Sequence, residues 1–321
     1  TCNDMIYSPR KSRGLGVMRC QWEAYLQHFS IAKKLTAVRN PLLHAVYDSE
    51  KEMQSCKESL GVEGETARKL RIACRQKSFE GWCSLDYQGV GVKHFETCPK
   101  ANRFTCDKSS LSTSEWVGAI KLNINYANLV GVPGVNEQSQ DRRCRRCHSE
   151  TPTRETPSHV LGFCKFGDKR RDDRHHRIKH WLRRLLQEKK YHCEDEVECV
   201  DGEGRNRRVD ILVFEPGTDK AYIVDPTIRF ETNRDMDREV QEEKNGIYAS
   251  CATDLADKYK HFGHRDFEVI GLWFGARGTV STGVVNFFER FNLDKGVLPE
   301  MTETILADSV RMINHHIYAT N

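Results

Sequence analysis

No stretch of these 321 residues holds the roughly eighteen consecutive apolar residues that a membrane-spanning helix needs, so no span of that kind is encoded. The opening Thr1-Cys2-Asn3-Asp4 has neither an initiator methionine nor the basic-then-apolar layout of a signal peptide, and the chain reads as a fragment of something longer. Internal repeats and low-complexity tracts are also missing. One sign of charge does not dominate, because the net is only +4. Nor is the chain poor in apolar residues, and 38% hydrophobic with 30% charged describes a soluble globular protein rich in exposed helix.

Cysteine, by contrast, is plentiful. Thirteen is an odd number, scattered through a chain without an export signal, which argues for reduced thiols or metal ligands and for a cytosolic or nuclear setting. Charge is uneven as well: positions 141–190 hold sixteen Lys/Arg against seven Asp/Glu, a block able to meet phosphates or to be a solvated helical face.

Periodicity gives the organisation. From Gln21 to Cys83 the pattern is helical, with Trp22, Tyr25, Leu26, Phe29 and Ala32 on one face and Leu42, Leu43, Val46 and Tyr47 repeating it after Pro41. Gln88 to Leu111 reads as loop with one short strand. Ser112-Thr113-Ser114-Glu115 is a capping-box signature opening a helix through Trp116, Ala119, Ile120 and Leu122. Gly131-Val132-Pro133-Gly134 ends it, a polar linker runs to Arg143, and a domain boundary is expected near 135. Further on, Ile178, Trp181, Leu182, Leu185 and Leu186 form the apolar stripe of a basic amphipathic helix whose polar face meets water or nucleic acid. Val209 to Phe214 and Ala221 to Val224 read as strands joined by the turn Glu215-Pro216-Gly217-Thr218. A long helix from Met236 to His261, a strand from Phe267 to Phe274, and helices near Val284–Phe291 and Met301–Ile317 complete a mixed α/β arrangement.

Two constellations carry chemistry. Cys144 and Cys147 form a CxxC pair, followed by His159 and Cys164, the thiolate and imidazole donors that zinc takes in a closed, structural tetrahedron. In so short a segment the metal stands in for a hydrophobic core. His148 is a lower-ranked alternative, because its place beside Cys147 gives awkward geometry. Cys74, Cys83 and Cys251 read as small hydrophobes, and Cys193 and Cys199 lack partners for a second site. A zinc-stabilised ubiquitin-ligase module would need a second, interleaved set of four ligands, which is absent.

The second constellation is Asp210, at the start of the first strand, and Asp225, at the end of the second. An antiparallel hairpin would bring them together as hard oxygen ligands suited to magnesium. Lys244 falls on the buried stripe of Val240, Ile247, Cys251, Leu255, Tyr259 and Phe262, where acidic partners would offset its burial and its charge could stabilise a pentacovalent phosphate. Ordinary strand-end acids with a snorkelling lysine fit the same spacing equally well. Asp219 reads as a turn residue, and Glu239, Glu242 and Glu243 as a wet helix face.

The order of these parts resembles the C-terminal region of Pol proteins from site-specific non-LTR retrotransposons that insert into ribosomal RNA genes and carry a restriction-like endonuclease. Tyr7-Ser8-Pro9-Arg10-Lys11-Ser12-Arg13-Gly14-Leu15-Gly16-Val17 looks like the stretch leading from the reverse-transcriptase palm into the thumb, and Gln88-Gly89-Val90-Gly91-Val92 like the linker. Cys144-Arg145-Arg146-Cys147, Glu155-Thr156-Pro157-Ser158-His159-Val160-Leu161 and Cys164 match the family's CCHC knuckle. Asp210, Asp225 and Lys244 take the positions of its variant PD-(D/E)xK centre, with the lysine moved onto the helix, and Tyr248 resembles a tyrosine that follows it. Val209 stands where the family has proline, and Thr227 where an ordinary DxK motif has lysine, so the catalysis implied depends on Lys244.

The resemblance implies an α+β protein: a helical thumb and linker region at 1–135, a zinc knuckle at 140–170, and a restriction-endonuclease-like domain with a short mixed sheet at 171–321. It implies structural zinc, catalytic magnesium, and nicking of target DNA in ribosomal RNA genes for target-primed reverse transcription in the nucleus. The RNA-directed DNA polymerase centre of the parent polyprotein would lie before Thr1, and element RNA would be a second partner. Lys179, Arg183 and Arg184 are the expected phosphate-backbone contacts. Self-association on DNA and a nucleic-acid-binding module with an inactive nuclease core stay open.

Overall fold

Helix-forming sequence with an apolar stripe needs a partner to bury that stripe, and the first third of the chain supplies its own. In a computed structural model, which describes residues 2–49, 51–135, 141–147 and 153–319, the chain divides into two compact units, 1–89 and 90–321. The division falls ahead of the boundary near 135 expected from the sequence.

The first unit comprises α1 (Asn3–Tyr7), α2 (Cys20–Ala37), α3 (Pro41–Ser49), α4 (Lys51–Leu60) and α5 (Ala67–Cys83). Leu26, Leu60, Leu70 and Cys74 form its core, with Trp22, Tyr25 and Phe29 packed against them, as the stripe on α2 predicts. The repeat of that stripe on α3 is not buried: Leu42 is 74% and Val46 43% exposed.

In the second unit, the stretch expected to hold a short strand instead forms two 3-10 turns, Val92–Glu96 and Pro99–Thr105. Gly91 starts the first with φ +71°, and a Cβ there would lie 2.3 Å from the Glu231 carbonyl oxygen, so only glycine fits. The stretch 90–135 is tied to the remainder of this unit by a fully buried pair: Arg277 binds Glu231 at 2.9 Å, the Val90 carbonyl at 2.7 Å and the Asn125 side chain at 2.7 Å. Its guanidinium also lies over the Phe95 and Phe230 rings. Helix α6 (Thr113–Asn123) opens with the expected capping box, Ser112 and Glu115 exchanging bonds. It is followed by α7 (Pro157–Gly162) and the basic α8 (Asp168–Glu188).

A four-stranded mixed sheet comes next, in the order β1 (His192–Val200), β2 (Asn206–Phe214), β3 (Lys220–Arg229) and β4 (Asp266–Gly275). The first two pairs are antiparallel and β3–β4 is parallel. β1 is not visible in the sequence pattern. Between β3 and β4 run α9 (Met236–Tyr248) and α10 (Ala252–Lys258), broken by a 3-10 turn at Ala249–Cys251 where one continuous helix is expected. The chain continues through α11 (Thr282–Arg290) and α12 (Leu298–Tyr318). One sheet face, with Ile211, Val213 and Val224, packs on α8, α11 and α12; the other, with Leu212, Ile223 and Val269, packs on Tyr248, Cys251 and Leu255. The result is a mixed α+β architecture.

Candidate metal centre and carboxylate cleft

The metal-binding candidate is built from two short pieces of backbone. Cys144 N–H donates to the Thr153 carbonyl at 2.9 Å beside an antiparallel bridge of Arg143 and Arg154, which fixes the turn carrying Cys147. Thr156 caps α7 by accepting from His159 N–H, and this places the imidazole. Donor atoms of Cys144, Cys147, His159 and Cys164 all lie within 4.8 Å of one another. Cys147 Sγ is 3.1 Å from His159 Nε2 and 3.5 Å from Cys164 Sγ, and Cys144 Sγ is 3.8 Å from Cys164 Sγ. The hydrogen bond between Cys164 and Cys144 holds the Cys144 thiol far below its ordinary range and pushes Cys164 up. Three sulfurs and one imidazole converging on one point could hold a metal ion such as zinc. His148 lies outside the described residues.

Two members of this neighbourhood escaped the sequence reading. Glu155 is fully buried, and His316, from the last turn of α12, lies 2.9 Å from its carboxylate and 3.6 Å from Cys144 Sγ. Burial raises the Glu155 pKa, but bonds from His316, Arg145 and the Val130 and Arg145 amides outweigh it and hold the group down at about 2.

The carboxylates come together in the sheet. The β2–β3 ladder pairs Ile211 with Val224 and goes no further, so the next residues, Asp210 and Asp225, flank the point where the two strands part. Both lie within their strands rather than at the ends. β2 begins at Asn206 because it pairs with β1, and β3 runs on to Arg229 because it pairs with β4. Asp225 is buried, and Lys244, with a side chain 12% exposed, reaches it from α9 with Nζ–Oδ1 of 3.0 Å. Burial raises the Asp225 pKa, the Lys244 charge opposes this, and the nearby Asp210 adds to the rise. Tyr248 donates from Oη to the Arg208 carbonyl at 2.9 Å, and burial followed by the Asp225 charge pushes its phenol up. The helical stripe around Lys244 is otherwise as expected, except that Phe262 is 40% exposed.

Three further groups crowd the same place. Glu196 on β1 lies opposite Asp210, between the pairs Asp195–Ile211 and Val197–Val209. It takes ion pairs from Lys179 and Arg208. His175 of α8 is 3.2 Å from Asp210 through Nε2. Lys179 is therefore not on the solvent face: it is 1% exposed, and burial pulls its pKa down while Asp210 and Asp195 oppose the fall. Arg183 is engaged with Asp195. Arg184, with 67% of its side chain exposed and Glu188 at 3.7 Å, faces solvent as expected. Alongside opens a cleft of about 600 Å³ whose lining includes His175, Thr227, Arg229, Glu239 and the 75% exposed Phe163.

The chain is 23% identical over 278 residues to the retrovirus-related Pol polyprotein from the type-1 retrotransposable element R2 of Popillia japonica, covering 85% of this chain. The chain is thus similar to a retrotransposon-encoded protein. It spans about half the length of the curated relative, 55%, and no protein-family model matches it.

Proposed function

We propose that the unit 90–321 is a magnesium-dependent DNA endonuclease that nicks target DNA for a polymerase on the same polyprotein, the nick priming reverse transcription of element RNA. The observation that carries this reading is the Lys244–Asp225 contact at 3.0 Å, made beside Asp210 at the point where β2 and β3 part. A lysine on a helix that otherwise buries apolar side chains is costly, and this sheet offers it a buried carboxylate.

Hard carboxylate oxygens are the donors magnesium takes, and Asp210 and Asp225 would offer them from adjacent strands where β2 and β3 part, while Glu196 is held by Lys179 and Arg208. Magnesium would supply an activated water and stabilise the leaving oxygen. The chain's own part is positional and electrostatic. Lys244 offers its ammonium to the developing phosphate charge, and Tyr248 braces the carboxylates from below through its bond to β2. Lys179 balances Glu196 and Asp210 from the α8 side, a structural role in place of a DNA contact. Arg184 remains the backbone contact on α8, and the Cys/His centre, read as zinc, is structural. Action on ribosomal RNA genes in the nucleus belongs to the same proposal.

Plasmid DNA incubated with the purified chain and magnesium at low salt tests it. Wild type should convert supercoiled to nicked circles, and Asp225→Ala and Lys244→Ala should not. Equal DNA binding by all three with no cutting by any would instead make the unit a targeting module with an inactive core.

A further inference from the structure

We infer that His316 is a positioning residue of the metal centre, coupling metal binding to the seating of α12 on the sheet. The inference rests on reading Cys144, Cys147, His159 and Cys164 as the metal-binding set. His316 is 2% exposed and stands between two groups of that centre. Its Nε2 lies 2.9 Å from Glu155 Oε1. The same Nε2 lies 3.6 Å from Cys144 Sγ, and Nδ1, the nitrogen that Glu155 leaves free, lies 3.8 Å from Cys164 Sγ. No residue of the CxxC-type pattern is close to it in sequence, since 152 positions separate it from Cys164.

Three thiolates and a neutral imidazole around a divalent cation leave an excess of negative charge in a buried place. A ring that donates to this centre stabilises it, and its own orientation is fixed by the carboxylate beyond, the arrangement by which outer groups tune metal affinity. Glu155 is well prepared for that task. It accepts from Val130 N–H at 2.9 Å, from Arg145 N–H at 3.0 Å and from the Arg145 guanidinium at 2.8 Å. The same guanidinium places a positive charge beside Glu155, which disfavours a second cation at Cys144, Glu155 and His316 even though their donor atoms also lie within 4.8 Å.

The contact extends along the end of α12. Arg146, inside the CxxC turn, donates to the His316 carbonyl at 3.0 Å and to the Ala319 carbonyl, and lies over Phe166, whose ring stacks on His315. Arg174 of α8 joins Leu161 of the knuckle to Ser309 of α12. The knuckle is thus part of the wall that α12 leans on, and loss of the metal should loosen α12.

Zinc affinity of the full chain, measured by competition with a chromophoric chelator, tests this together with amide hydrogen exchange over residues 311–319. His316→Leu should weaken zinc binding by about 10- to 100-fold, the usual effect of removing an outer-shell partner. His316→Gln, which keeps one donor, should lose less, and Tyr318→Ala, at a 70% exposed position, should lose nothing. Stripping zinc from wild type should speed exchange across 311–319. Wild type that binds no zinc sinks the metal reading and this inference with it. Wild type that binds zinc, with His316→Leu equally tight or exchange unchanged on stripping, overturns the role of His316 alone, as does a stoichiometry of two zinc ions. The exchange comparison uses wild type only, so it stands even where His316→Leu fails to fold.

Discussion

Lys244 and Arg277 are both cations taken out of water, and each is expected to answer differently to mutation. Lys244 keeps 12% of its side chain exposed, so Lys244→Ala should leave the far-ultraviolet circular dichroism intact while cutting the nicking rate by about 10²- to 10³-fold, the range found on removing one group that stabilises developing charge. Nicking at the wild-type rate would remove Lys244 from the chemistry. Arg277 is sealed in with Glu231, and Arg277→Met leaves that carboxylate buried without its countercharge, a loss of about 3–5 kcal/mol readable by urea unfolding. Burial alone would raise the Glu231 pKa, yet Arg277 and Thr279 bring it below the usual carboxylate value. A depressed folded-state pKa adds stability that is complete above the unfolded pKa and fades as the pH falls from there through the folded one. Removing Arg277 should therefore move the acid-unfolding midpoint to higher pH, and an unmoved midpoint would contradict the assignment.

Among the elements, local chemistry was legible and long-range pairing was not. The capping box at Ser112 needs only four residues to be read, and Ser112→Ala should cost about 1 kcal/mol in thermal or urea unfolding. The β2–turn–β3 hairpin, the stripe of α8 and the buried lysine of α9 were equally readable, because each shows its period within one segment. β1 was not, since His192–Val200 is rich in acidic residues and its alternation slips at Glu196, whose φ is +55°. Missing β1 had a cost at the site, because Lys179 looks like a surface cation until Glu196 is placed opposite it. His175 borders the α8 stripe, and only the sheet reveals Asp210 as its partner. His316 and Glu155 lie far apart in sequence, and no spacing rule connects them. The 3-10 turn at Ala249–Cys251 likewise breaks a stripe whose apolar positions continue on either side, so the pattern gave no sign of it.

At the scale of the whole molecule, each unit carries its own core, Leu26, Leu60 and Leu70 in one and the two faces of the sheet in the other. Residues 90–321 expressed alone should unfold in a single cooperative transition, and a chelator should lower its Tm; a transition unmoved by chelation would argue against a structural metal. The parallel pairing of β3 with β4 also has a consequence for how the protein is made. Parallel strands require a crossover, and here the crossover is the very segment that carries Lys244. On the ribosome, Asp210 and Asp225 emerge before α9, and α9 lacks its main packing partner until β4 is made. A nascent chain halted before β4 therefore holds every residue of the proposed nuclease centre, with its carboxylates on the β2–β3 hairpin but its lysine-bearing helix not yet seated, so the cutting centre is completed only by the strand that contributes no side chain to it.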